Sequence, residues 1–97
     1  NLGVSPKPVS QEQTVTDVLG KVTSGEADAG VVCATDAKSA GAKVTAVAIP
    51  GSEKVVNTYP IAATASTKDA ALAKAYIDYV TGPKGQAILT EFGFGKP

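Results

Sequence analysis

Histidine, methionine and tryptophan are absent from these 97 residues, and cysteine occurs once. Without histidine the chain lacks the commonest general base and the commonest metal ligand together. The single thiol, Cys33, forms no intramolecular disulfide and makes no zinc site. No convergent pair of acids replaces the missing histidine, so a hydrolase or a transferase is a poor fit. Aromatics are scarce, with three Tyr and two Phe, and nine basic residues balance nine acidic ones. Nucleic acid is therefore not an expected partner. No apolar run approaches the ~20 residues that span a bilayer, and no signal peptide is visible. The lack of methionine implies a start inside a longer chain or after processing.

What remains is a globular composition, 43% hydrophobic and 19% charged, in a chain long enough for one small domain. Its organising stretch is Thr14–Ala37. Thr14 is a good helix N-cap, and Asp17 three residues on resembles the acidic half of a capping box. Val15, Val18, Leu19 and Val22 then form one apolar helix face, and Gly25 follows Ser24 as the expected terminating glycine. The short apolar run Ala29–Ala34 reads as a strand covered on both faces. Thr35 or Asp36 then caps a short helix stopped by Gly41. Both helix starts would lie at the end where the strand finishes, making an anion site from backbone alone.

Further along, Lys43–Ile49 alternates as a strand, and Val55–Ala65 is extended but split by Pro60. Thr67 or Ser66 caps the next helix, whose expected buried stripe is Leu72, Tyr76, Tyr79 and Val80, with Ala73 and Ile77. Pro83 opens a last helix through Phe92, ended by Gly93, with Phe94 folding back on it. Gly82-Pro83-Lys84-Gly85 lacks the spacing of a phosphate loop. The fold class expected is α/β. The core is thin in large side chains, which implies packing against more protein.

Three phrases, VTSGEADAGVVCATDA, VVNTYPIAATA and YVTGPKGQAILTEFGFGKP, occur in an order and spacing that resembles the extracytoplasmic molybdate-binding proteins of ABC transporters. The resemblance covers nearly all 97 residues but matches only the C-terminal part of such chains, which are more than twice as long. It implies the C-terminal portion of a type II periplasmic-binding-protein fold, two-lobed, with helices packed on a mixed sheet. Residues 1–57 would belong to the second lobe. Residues 58–97 would be the return crossover and C-terminal helices of the first lobe. The large N-terminal portion, or a second copy of the chain, would complete it.

The resemblance also implies a function. Molybdate, or tungstate, would be bound as an oxyanion without cofactor or metal and delivered to the membrane permease. The setting would be periplasmic or that of a cell-surface lipoprotein. An oxyanion-sensing regulatory domain of the same fold, fused to a DNA-binding or signalling module, is the alternative. Upstream residues would separate the two.

Val15 is the first ligand candidate. A Thr14 cap leaves the N–H of the first helical residue unpartnered on the axis, and in the family the residue at this position donates its N–H to molybdate. Thr14 itself is a second candidate. Cys33 stands where the family pattern has a Tyr whose hydroxyl donates to the anion. A thiol is a weaker and shorter donor, so one hydrogen bond is lost unless water, Thr35 or Tyr59 replaces it. Other readings of Cys33 are a retuned anion preference, a small hydrophobe ending a buried strand, or a nucleophile, which would lack any His partner. Asp36 reads as a cap rather than a metal ligand. Tyr59 lies in the crossover, at the cleft or in hinge packing. Tyr76 and Tyr79 read as core, and Lys21, Lys38 and Lys74 as solvated helix faces.

Overall fold

The computed structural model describes residues 3–96. The described residues form four α-helices: α1 (Val15–Thr23), α2 (Ala34–Ala40), α3 (Ala70–Thr81) and α4 (Pro83–Glu91). Two 3-10 turns, Gly41–Lys43 and Ser52–Lys54, lie between α2 and α3. The chain divides into two compact units, Asn1–Val56 and Asn57–Pro97.

In the first unit α1 begins where the capping chemistry places it. Its end is also chemically specified. Gly25 takes φ 82°, and the N–H groups of Gly25 and Glu26 donate back to the carbonyls of Val22 and Lys21, at 3.2 and 2.9 Å. These paired bonds satisfy carbonyls that the helix would otherwise leave open, and glycine makes the left-handed turn without steric cost. Helix α2 packs against α1. Its N-cap is Cys33, not Thr35 or Asp36, which lie inside its first turn. It stops at Gly41, as expected.

In the second unit α3 and α4 pack together across a single linking residue, Gly82, which ends one helix and caps the other. Pro83 follows at the first helical position of α4, where no intrahelical N–H is needed. Gln86 Nε2 donates to the carbonyl of Val80 at 3.0 Å and ties the two helices. Gly85 is buried at this junction. The cap of α3 is Asp69, whose Oδ1 accepts from Leu72 N at 2.9 Å. Thr67 supports it instead of capping, its Oγ1 accepting from Asp69 N at 3.3 Å. At the end of α4, Phe94 N donates to the carbonyl of Leu89 at 3.0 Å, so the chain does fold back there.

The expected mixed sheet is not present. No strand occurs among the described residues, so the expectation of an α/β portion with helices packed on a sheet is overturned. The runs 29–34, 43–49 and 55–65 carry no strand. The backbone at Cys33 (φ −71°, ψ 154°) and Val44 (φ −138°, ψ 157°) is extended. Residue pattern thus set local conformation, but a strand also needs a hydrogen-bonded neighbour, and none of these runs pairs with another.

The buried stripe of α3 is corrected as well. Leu72, Tyr76 and Tyr79 are 66%, 63% and 52% exposed, while Ala73, Ile77 and Val80 are half-buried. Leu72, Ala73 and Tyr76, with Thr67 and Asp69, line a shallow apolar hollow of about 490 Å³. Among the described residues no hydrophobic side chain is buried.

Candidate functional site

The start of α1 is the best-defined polar feature of the first unit. Thr14 is extended at φ −134°, ψ 154°. Its Oγ1 accepts from Asp17 N at 3.1 Å and donates to Asp17 Oδ2 at 2.7 Å. The hydroxyl proton is therefore committed to Asp17, and Thr14 acts by shaping the helix start. The carbonyl of Thr14 accepts from Val18 N at 3.3 Å. That leaves the N–H groups of Val15 and Thr16 without an intrahelical partner, on the positive end of the helix. Val15 is 39% exposed, so solvent or a ligand reaches it.

Cys33 opens α2. Its side chain makes no capping bond and is exposed, so it is not the buried end of a strand. Its carbonyl accepts from Asp36 N at 3.1 Å and Ala37 N at 3.2 Å. Thr35 and Asp36 follow in the first turn, both half-buried. No backbone N–H bonds to the Asp36 carboxylate among the described residues, contrary to its expected capping role.

Thr14, Val15, Cys33 and Thr35 all belong to the first unit, and Tyr59 belongs to the second. Tyr59 is 73% exposed, and its ring meets Phe94 edge to face, with centroids 6.1 Å apart. No group of three His, Cys, Asp or Glu among the described residues could hold a metal.

Two features escaped the sequence. The first is Gly30, whose α-carbon lies against the Val18 and Val22 side chains of α1. The signal was present in the i, i+4 valine pair followed by a glycine where the chain returns, but a strand reading hid it. The second is an ion cluster. Lys21 Nζ lies 3.4 Å from Glu26 Oε2 and 3.7 Å from Glu12 Oε1, so Lys21 is not simply solvated. A hydrogen bond to Glu26 and the charge of Glu12 hold the Lys21 pKa above its ordinary value. The Ser24 hydroxyl, then Lys21, lowers that of Glu26. Neither spacing follows a helix face, which is why periodicity missed them. The cluster borders a groove of about 370 Å³ between residues 6–12 and the Val18 side of α1.

Residues 3–95 match the family of bacterial extracellular solute-binding proteins. The chain belongs to that family. It is 47% identical over 95 residues to the molybdate-binding protein ModA of Mycobacterium tuberculosis H37Rv, covering 98% of this chain and 36% of the relative. The Mycobacterium bovis protein of the same name matches equally. ModA of Escherichia coli K12 is 36% identical over 92 residues, covering 94% of this chain and 35% of its own length. The chain thus spans about a third of the curated relatives it matches. No solved structure matches it significantly. The resemblance drawn from the GEADAG, YP-I-A and GPKGQAIL phrases is borne out by these relatives. Among the described residues, no helix is long and apolar enough to cross a membrane.

Proposed function

We propose that this chain supplies one wall of a binding site for a tetrahedral oxyanion, molybdate or tungstate. The protein that carries it would deliver the anion, outside the cytoplasm, to the membrane permease of an ABC transporter. The observation that carries the reading is 47% identity to a molybdate-binding protein across 98% of the chain.

The start of α1 fits the task physically. Val15 offers a neutral donor at a positive helix end, while Thr14 and Asp17 satisfy each other beside it. Neutral donors hold a dianion without the desolvation cost of a buried Lys or Arg, and they leave release easy. They also select a fully deprotonated anion, because a proton on the ligand would face another donor. Cys33 contributes a weaker donor than a hydroxyl would. Thr35 offers a second contact from the same segment.

Calorimetric titration of the complete protein with molybdate tests this. Binding at micromolar affinity or better is expected, with no requirement for a metal. Absence of binding to both molybdate and tungstate overturns the reading.

A further inference from the structure

Gly25, Gly41, Gly51 and Gly93 take positive φ, and Gly30 does not. Its backbone conformation is open to any L-residue, so conformational freedom does not explain a glycine there. Space does. A Cβ at Gly30 would fall 2.6 Å from Val18 Cγ1, 3.1 Å from Val22 Cγ2 and 3.7 Å from the Val18 carbonyl oxygen. Carbon atoms in good contact lie ~3.5–4.0 Å apart. The valines cannot easily turn away, because a β-branched side chain in a helix has one strongly preferred rotamer.

The path of the chain gives this contact its consequence. The backbone leaves α1 at Ser24, turns at Gly25, and by Gly30 is back beside Val18. Three residues on stands Cys33, itself extended, at most ~10 Å away. From Val18 to Val15 the helix rise is only ~4.5 Å. A returning segment that keeps this direction carries Cys33 toward the end of the unit at which α1 begins.

We propose that Gly30 is a positioning residue for the oxyanion site: its missing side chain lets the segment before α2 lie directly on Val18 and Val22, and so sets the separation of Cys33 from Val15. This rests on the oxyanion reading above. A methyl group at Gly30 pushes the segment off α1 by roughly 1 Å, enough to take a hydrogen bond of 2.9 Å out of its useful range.

The test is the release rate of radiolabelled molybdate from the complete protein, chased with unlabelled anion. A dissociation rate does not depend on how many molecules are folded, so simple loss of stability leaves it unchanged. Gly30→Ala is expected to release molybdate about tenfold faster or more, as for one weakened bond to a charged ligand. Val18→Ala combined with Gly30→Ala removes the Cγ1 obstacle and is expected to bring release back toward the wild-type rate. If Gly30→Ala does not fold, the double variant decides alone. Wild-type-like release from it supports the proposal, and fast release or no binding overturns it. An unchanged rate in a folded Gly30→Ala protein overturns the positioning role and leaves the oxyanion reading intact. A wild-type protein that binds no molybdate overturns both.

Discussion

At the scale of single residues, the start of α1 turns on one hydroxyl. Thr14 both receives the Asp17 N–H and gives its proton to the Asp17 carboxylate. Thr14→Ala removes both bonds and is expected to cost about 0.5–2 kcal/mol of helix stability. Thr14→Ser should recover most of it, as thermal unfolding of the two variants of the complete protein will read. Cys33 is exposed at the start of α2 and has no capping bond to lose. Cys33→Tyr in the complete protein is therefore expected to replace a weak donor with a stronger one at no cost to the helix cap. It should tighten molybdate binding by the worth of a hydrogen bond to a charged group, about 10- to 100-fold. Unchanged or weakened affinity in a titration would place Cys33 away from the ligand. Thr14, Val15 and Gly25 were legible in the sequence because a cap and a terminating glycine are decided within a few residues of themselves. The Cys33 cap was not, because cysteine has no capping preference to read.

At the scale of elements, local chemistry and distant partners separate cleanly. The helices α1, α3 and α4 were legible, with the start of α3 misplaced because Asp69 caps it by accepting from Leu72 N, while Thr67 accepts instead from Asp69 N. The strands were not, since a run such as Ala29–Ala34 becomes a strand only beside another. The α3 stripe failed for the same reason: period identifies a face, but only a neighbour buries it. The exposure of Leu72 and Tyr76 is the result. Helix junctions can be tested directly. A Cβ at Gly85 would come within 2.5 Å of the Val80 carbonyl oxygen, and a backbone atom cannot step aside. Gly85→Ala in the complete protein is expected to cost roughly 1–3 kcal/mol, visible as earlier loss of helical circular dichroism on heating.

The cluster at the end of α1 predicts a pH signature. Glu26 is held below its ordinary carboxyl value in the folded state, so its contribution is present above that ordinary value and lost as pH falls through the lowered one. Lys21 is raised above 10.5, so its contribution is present below that pH and lost as pH rises through the raised value. Glu26 is exposed and Lys21 half-exposed, so salt will screen them. NMR titration should find the Glu26 carboxyl below its ordinary range, and Lys21→Met should move it back up.

At the scale of the whole molecule, surface decides. The chain exposes 8326 Å². A folded monomer of 9.7 kDa exposes roughly 5,100 Å². With no hydrophobic side chain buried among the described residues, the helices lack the burial that normally holds such elements in place. The isolated 97 residues are therefore expected to unfold without a cooperative transition, to bind a hydrophobic dye, and to bind molybdate weakly or not at all. A micromolar affinity of this stretch alone, measured by calorimetry, would contradict that expectation.

The lone exposed thiol at the start of α2 has a practical corollary. The chain carries no tryptophan, so its own fluorescence is faint. Cys33 is its one cysteine and stands on the surface. A small neutral dye coupled there will mark one position of this stretch, next to where a dianion is proposed to arrive. Its colour should respond to the field of that anion. The thiol proposed to be a weak donor at the site would then equip the complete protein as an optical gauge of oxyanion concentration.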